Sequence, residues 1–264
     1  MNKTKLKTSL FIVSSFLIPA IIMFFIYLSQ GIYWNSDTSP LLGDGYHQYV
    51  IFDTTLRNIL HGTDSLFYSF QSGLGINFYA LSSYYLGSFF SPLVYFFNVQ
   101  SMPDAVYLIT LLKFGAIGLS AYISLHGIFS KIPRCLVLTL STSFALISFA
   151  ISQIEIKTWL DVFILAPLIL YGFKKLIYNE GEVLYFISLT SLFIQNYYFG
   201  FMMSIFLILW YLTQLSWNIK KIGKRFFHFV IVSLLSVITS LVMLYPTFLD
   251  LRTHGESFSK VDSI

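Results

Sequence analysis

Gly43-Asp44-Gly45-Tyr46-His47-Gln48 lies in the one long polar segment, about residues 30 to 80, of an otherwise apolar sequence. Of the 264 residues, 56% are hydrophobic and 11% are charged, and the mean hydropathy is +0.73. These values lie far from the soluble average and predict an integral membrane protein. The contrast between this polar segment and its apolar surroundings therefore indicates a membrane scaffold that carries one large loop.

Outward from this loop, seven apolar runs are predicted to cross the membrane as helices, because a span needs about 20 residues. They lie at about 10–29, 105–126, 136–151, 159–177, 183–195, 201–217 and 226–245. The first run follows Lys3, Lys5 and Lys7 and has no cleavage site after it, so we expect a span rather than a signal peptide. The predicted fold is all-α and polytopic.

The polar segment itself contains a pattern typical of an amphipathic helix. Apolar residues recur at three-and-four spacing, at Tyr49, Phe52, Leu56, Ile59 and Leu60. We expect this helix to lie in the membrane interface and to end at His61-Gly62. On its polar side, Asp53 is placed to pair with Arg57, and Asp44 shares a face with Gln48.

The run at 84–97 is short and is broken by Ser91-Pro92. If it does not cross the membrane, all the later basic clusters fall on the side of the N-terminal lysines, as the positive-inside rule requires. Those clusters comprise Lys131, Arg134, Lys174, Lys175, Lys220, Lys221, Lys224 and Arg225. We therefore predict a re-entrant or interfacial element, a cytoplasmic N-terminus and a first extracytoplasmic loop at 30–104. The Asp44 loop, 153–161 and 195–200 then converge on the outer face.

Several short motifs carry a family resemblance. They are Gly43-Asp44-Gly45 with Gln48-Tyr49, Gly73-Leu74-Gly75-Ile76-Asn77, Ser83-Tyr84-Tyr85, Ser91-Pro92, Trp159-Leu160-Asp161 with Pro167, and Asn196-Tyr197-Tyr198-Phe199-Gly200. In order and spacing the chain resembles the N-terminal region of the YfhO family of bacterial membrane proteins, which is similar in architecture to polytopic GT-C glycosyltransferases. Family members are much longer, so we expect 1–264 to be a single transmembrane domain that forms only the N-terminal portion.

The resemblance implies transfer of a sugar from a polyprenyl-phosphate carrier to a cell-envelope polymer such as teichoic acid, at the bacterial plasma membrane. Such a reaction needs a base near the acceptor hydroxyl and donors that hold the departing phosphate. Asp44 is the candidate base, although Asp after Gly is also an ordinary helix cap. Lys113 lies deep in an apolar run and is expected to face a cavity, a carboxylate or a phosphate unless it snorkels to the interface.

The other candidate binding residues each have a structural alternative. Arg57 contacts phosphate or pairs with Asp53. Glu155 and Asp161 supply a second carboxylate or part of a cation site, or they mark a solvated loop end. Trp159, Tyr197 and Tyr198 stack on a sugar or anchor the membrane interface. The remaining candidates for the polar lining of the cleft are His47, Gln48, Asn77 and Asn196. A divalent cation stays open, since Asp44-x-x-His47 specifies neither ligand number nor geometry.

Other functional classes are less compatible with the sequence. It contains no phosphate-binding, nucleophile-elbow or dinucleotide-binding motif. The basic residues lie between apolar runs, so we expect no nucleic-acid partner, and the single Cys135 excludes an internal disulfide. The alternatives to a glycosyltransferase are a multi-pass transporter or lipid flippase, for which we find no inverted repeat, and a non-catalytic membrane partner of a longer transferase.

Overall fold

The computed structural model describes residues 3–71, 75–214 and 219–261. Within these ranges the chain is helical, and its one strand-like feature is an isolated bridge between Ser69 and Ile76. The α-helices are α1 Lys3–Ser29, α2 Val50–Leu60, α3 Phe78–Tyr85, α4 Met102–Ile128, α5 Arg134–Ala145, α6 Ser148–Ser152, α7 Lys157–Ile177, α8 Val183–Gln195, α9 Tyr197–Gln214 and α10 Ile219–Val261. A π-helical turn at Gly45–Tyr49 precedes α2, and 3₁₀ turns lie at Ser91–Phe96 and Val99–Ser101.

Helix α4 is the centre of the bundle. It packs against α1, α5 and α7, and α7 packs in turn against α8, which contacts α10. In the most apolar stretch of the segment that contains α4, 61% of the residues are buried. The corresponding share is 17–22% in the three other long apolar segments, which contain α1, α5 and α10. Gly118 lets α1 approach closely, because a Cβ atom there would overlap the Ser15 carbonyl and the Pro19 ring. Small residues permit such close contacts between membrane helices.

The outer surface of the bundle is strongly apolar. Large side chains on α1 and α10, including Leu10, Phe25, Phe227 and Ile238, are more than half exposed. A contiguous apolar surface of this kind is unfavourable in water but suits contact with lipid. The outward faces of these helices therefore match the membrane environment predicted from composition.

Four segments are long and apolar enough to cross a membrane, at Thr8–Ser29, Val99–Ile128, Arg134–Ser152 and Arg225–Thr253. The third is interrupted at residues 146 and 147, between α5 and α6. Helices α8 and α9 are apolar but shorter, and α7 carries four charged residues along its length. The all-helical membrane fold is confirmed, whereas the count of seven spans remains a prediction.

The 30–104 segment, named the outer loop after its predicted side of the membrane, contains the elements expected from its pattern. The turn at Gly45–Tyr49 and α2 form a continuous helical segment that ends at His61, with Gly62 in the left-handed region. The run at 84–97 contains the end of α3 and the six-residue 3₁₀ turn that begins at Ser91-Pro92. Neither piece is long enough to span a bilayer. Gly73 and Leu74 of the Gly73-Leu74-Gly75 motif lie outside the described residues.

Hydrogen bonds place the basic loops at one end of the bundle. Arg134 Nη1 donates to Thr8 Oγ1 over 2.9 Å, and Lys174 Nζ donates to the Ile128 carbonyl over 2.7 Å. At the opposite end, the Asn35 amide donates to Asp104 Oδ1 over 2.8 Å. The starts of α1 and α5 therefore share an end with the last turns of α4 and α7, as the charge distribution requires.

Candidate functional site

Asp44 lies at the start of the helical segment of the outer loop, with its side chain exposed. It makes no capping hydrogen bond to the backbone of that segment. Instead, Oδ1 accepts a hydrogen bond of 3.1 Å from Gln48 Nε2, so the two side chains share a face as expected. The carboxylate therefore faces the outside of the loop with one amide partner, and simple capping does not account for it.

Glycines allow the Asp44 loop to lie directly on the segment before α7. A Cβ atom at Gly43 would overlap the Glu155 carboxylate, and Gly43 has a φ of +46°. A Cβ atom at Gly45 would lie 3.4 Å from the Glu155 carbonyl oxygen. Glu155 is therefore half-buried beneath the Asp44 loop and is not merely a solvated loop end. Two of the three polar segments expected to converge are in contact here.

A buried group of four charges lies below this loop. Lys113 Nζ donates to Asp161 Oδ2 over 2.6 Å and to the Lys157 carbonyl over 2.8 Å. Lys157 Nζ in turn donates to both carboxylate oxygens of Asp53. All four side chains are at most 3% exposed. Their charges cancel, as burial in a low-dielectric interior requires.

This charged group joins four parts of the fold. Ser88 Oγ donates to Asp161 Oδ1 over 2.8 Å, so the segment after α3 is attached to α7. The hydroxyls of Tyr49 and Thr158 lie 2.9 Å apart, which attaches the Gly45–Tyr49 turn to the same helix. The outer-loop elements are thus bound to α4 and α7 through buried polar contacts.

The predicted pair between Asp53 and Arg57 is wrong. Asp53 turns inward and its partner is Lys157, because a fully buried carboxylate needs a buried cation. Arg57 Nε donates to the Phe97 carbonyl over 2.8 Å, and Nη1 donates to Asn58 Oδ1 over 3.1 Å. Arg57 therefore holds the C-terminal end of the 84–97 run against α2.

A cleft of about 460 Å³ opens between α3, the start of α9 and α10. Its polar lining consists of Asn77, Tyr84, Tyr85, Tyr197, Thr247 and Asp250. Asn77 Oδ1 caps α3 by accepting from the Ala80 amide over 3.2 Å. The rings of Tyr84 and Tyr197 are 6.0 Å apart, and those of Tyr84 and Tyr85 are 4.9 Å apart. The volume of the cleft falls within the range of small-molecule sites, about 300–1,000 Å³.

Tyr85 in the wall of the cleft lies within electrostatic range of Asp44. Burial raises the pKa of the Tyr85 hydroxyl, and the neighbouring Tyr84 hydroxyl and the Asp44 carboxylate raise it further. Burial likewise raises the pKa of Tyr49, which is stacked edge-on against Tyr85 at 5.3 Å. Both phenols therefore stay protonated at neutral pH and can donate hydrogen bonds.

The junction between α8 and α9 forms another wall near the cleft. Asn196 Oδ1 accepts from the Phe199 amide over 3.2 Å and so begins α9. A Cβ atom at Gly87 would overlap the Gln195 backbone, so this junction lies directly against the outer loop. Among the described side chains, Gln195, Asn196 and Trp159 each retain a buried N–H group without a protein partner.

The remaining predicted residues are dispersed around this centre. His47 is exposed on the outside of the loop, and Tyr198 is 49% exposed. Trp159 is stacked edge-on against Phe199 at 5.1 Å and does not line the cleft. Among the described residues, no three His, Cys, Asp or Glu side chains form a group suited to a metal ion.

Sequence reasoning did not single out Lys157, Ser88 or Asp250. Lys157 is four residues before Asp161, so both side chains lie on one face of α7. Lys113, Lys157 and Asp161 together carry one positive charge too many for a buried group. A buried acid must balance it, and Asp53 of the outer loop does so. A charge balance of the apolar helices would therefore have found Lys157. Asp250 gave no such signal, because α10 continues the apolar run beyond residue 245.

Comparisons with curated proteins and with solved structures give no significant match. A family model described as "Bacterial membrane protein YfhO" matches residues 14–264, which is nearly the whole chain. The match includes the Asp44 loop, the buried charged group and the cleft. The chain therefore belongs to the YfhO family of bacterial membrane proteins.

Proposed function

We propose that the protein is a membrane glycosyltransferase that moves a sugar from a polyprenyl-phosphate carrier to a cell-envelope polymer such as teichoic acid. The observation that carries this proposal is the exposed Asp44 carboxylate, whose charge acts on Tyr85 in the wall of a tyrosine-lined cleft, at the end of the bundle opposite the basic loops. An acceptor hydroxyl can approach this carboxylate from outside.

In the proposed reaction, the acceptor oxygen forms a bond to the anomeric carbon while the bond from that carbon to the carrier phosphate breaks. Asp44 takes the proton of the acceptor hydroxyl, and the phosphate leaves on the lipid. Gln48 orients the carboxylate through its hydrogen bond of 3.1 Å. General-base assistance of this kind contributes about 10²–10⁴-fold to a rate.

Arg57 does not hold the carrier phosphate in this proposal. It follows Asp44 by thirteen residues in one continuous helical segment, which is about 20 Å at about 1.5 Å per residue. Its contacts to Phe97 and Asn58 give it a structural role at the far end of α2.

The buried charges favour a transferase over a transporter. An ion or proton path needs ionisable side chains that face a cavity. Lys113 and Lys157 are each bound to a carboxylate, and neither lines the cleft. We therefore assign to both pairs a positioning role, in which they hold the outer loop on α4 and α7.

The proposal is tested in cells that depend on this protein for a glycosylated envelope polymer. Asp44→Asn keeps the size of the side chain but removes the base, so we expect the sugar content of the polymer to fall at least about 100-fold. Asp37→Asn, in the same loop and also exposed, is the matched control. Unchanged sugar content in Asp44→Asn cells with normal protein levels would rule out Asp44 as the base.

A further inference from the structure

A second cavity, which we call the α4–α7 groove, has a volume of about 370 Å³ and lies between α4, α5 and α7. Its described lining residues carry no charge and include Ala121, Leu125, Ile128, Leu140, Phe144 and Leu170. Leu140 is 43% exposed, so the groove opens at the surface of the bundle. Helices α4 and α5 belong to segments that are long and apolar enough to cross a membrane. The groove therefore opens toward lipid chains rather than toward water.

The groove ends beside Lys174, at the end of the bundle that carries the basic loops. Lys174 Nζ donates over 2.7 Å to the carbonyl of Ile128, which is part of the lining, and Lys174 lies about one turn beyond Leu170. An ammonium has three N–H donors, and this bond uses one of them. Glu180 and Glu182 of the loop after α7 are exposed, and among the described residues Lys174 forms no ion pair. An anionic group at this end of the groove would meet a cation that no described carboxylate neutralises.

Two more lysines add to the positive charge at this end. Lys131 is exposed in the turn that joins α4 to α5. Lys175 Nζ lies 5.8 Å from the centre of the Tyr171 ring. That ring packs against the last turns of α4, because a Cβ atom at Gly127 would overlap it. An apolar groove thus ends at a group of lysines, and basic pockets between membrane helices are suited to anionic lipid headgroups.

We propose that the α4–α7 groove binds one acyl chain of an anionic phospholipid, whose phosphate lies at Lys174 and Lys131. The lipid belongs to the leaflet that meets the basic loops. The apolar walls accept an acyl chain of any lipid, whereas the lysines select a negatively charged headgroup through charge-assisted hydrogen bonds. This site lies at the opposite end of the bundle from Asp44 and is independent of the proposed glycosyltransferase function.

Native mass spectrometry of the full chain tests the proposal. Delipidated protein in detergent is titrated with phosphatidylglycerol and, separately, with phosphatidylcholine that has the same acyl chains. We expect one phosphatidylglycerol molecule to bind at least about tenfold more tightly than phosphatidylcholine, because only the former has a net negative charge. Equal affinities for the two lipids would overturn the proposal.

Two variants separate the headgroup contact from the chain contact. Lys174→Gln removes the charge but keeps a donor for the Ile128 carbonyl, so it should weaken phosphatidylglycerol binding about fivefold or more and leave phosphatidylcholine binding unchanged. Ala166→Phe places a ring in the groove and should weaken the binding of both lipids about tenfold or more. The matched controls are Arg225→Gln, near the start of α10, and Leu234→Phe, on an exposed face of the same helix. Both controls lie outside the described lining and should bind both lipids as the wild type does.

Folding and competition complete the test. Helical circular dichroism and size exclusion confirm that each variant is folded, and Lys174→Gln adds no bulk, so its result stands even if Ala166→Phe does not fold. Phosphatidylglycerol binding that is insensitive to Lys174→Gln, or to a folded Ala166→Phe, would contradict the proposed site. An equal concentration of polyprenyl phosphate should displace less than half of the bound phosphatidylglycerol. Full displacement would assign the groove to the carrier lipid and overturn the proposal.

Discussion

At the scale of single residues, the buried pair of Asp53 and Lys157 is the strongest constraint on the outer loop. Asp53 is fully buried, and its carboxylate is bound through both oxygens by Lys157. The Lys157 ammonium also lies 5.8 Å from the centre of the Tyr49 ring. Removing one partner of such a pair leaves an uncompensated buried charge, which costs about 3–5 kcal/mol.

We therefore expect Lys157→Met to lower the stability of the purified protein by about 3–5 kcal/mol, seen as loss of monodisperse protein on heating in detergent. The double variant Lys157→Met with Asp53→Leu should recover most of the loss, because no charge is left buried. The matched comparison is Arg57→Met, which leaves the Asp53 pair intact. A loss in the double variant equal to the sum of the two single losses would contradict the pairing.

At the scale of helices, the contact of α1 with α4 depends on a small residue. Gly118 faces the Ser15 carbonyl and the Pro19 ring, and a Cβ atom has no room there. Gly223 in α10 has no atom of the described residues within 4 Å of a Cβ position. The two glycines are both helical, but only one of them is needed for packing.

Gly118→Ala should therefore destabilise the protein by about 1–3 kcal/mol through overpacking. Gly223→Ala should be neutral or stabilising by up to about 1 kcal/mol, because alanine is the better helix former. Thermal unfolding of both variants in the same detergent checks the contrast. Equal effects of the two substitutions would show that α1 does not pack on α4 at Gly118.

The same scale shows how far the sequence predicts this fold. Apolar runs of sufficient length predicted α1, α4 and α10, and three-and-four spacing predicted the helix that includes α2. The partner of Asp53 was mispredicted because a local rule of four-residue spacing competed with a contact 104 residues away along the chain. Asp250 was missed for a related reason, since only the tertiary packing of α3 on α10 forms the cleft.

At the scale of the whole molecule, the arrangement of the two ends predicts which surface is accessible from outside the cell. Cys135 is exposed and adjoins Arg134, which is bonded to Thr8 near the start of α1. If the basic loops are cytoplasmic, as the positive-inside rule predicts, an impermeant thiol reagent should leave Cys135 unlabelled in intact cells and label it after permeabilisation.

A Cys135→Ser protein with a cysteine introduced at Asp37 provides the matched control, because Asp37 lies in the outer loop and is exposed. This control should react in intact cells. Labelling of Cys135 before permeabilisation would invert the orientation and would place the Asp44 loop and the cleft on the cytoplasmic side.

The central claim is that Asp44 acts as the base in sugar transfer. Reconstitution of the reaction tests this claim most directly. The full protein in proteoliposomes is given a radiolabelled polyprenyl phosphosugar and a purified unglycosylated polymer, and label in the polymer is measured over time. We predict transfer by the wild type and by Asp37→Asn, and at least about 100-fold slower transfer by Asp44→Asn. Equal rates for Asp44→Asn and the wild type would contradict the claim.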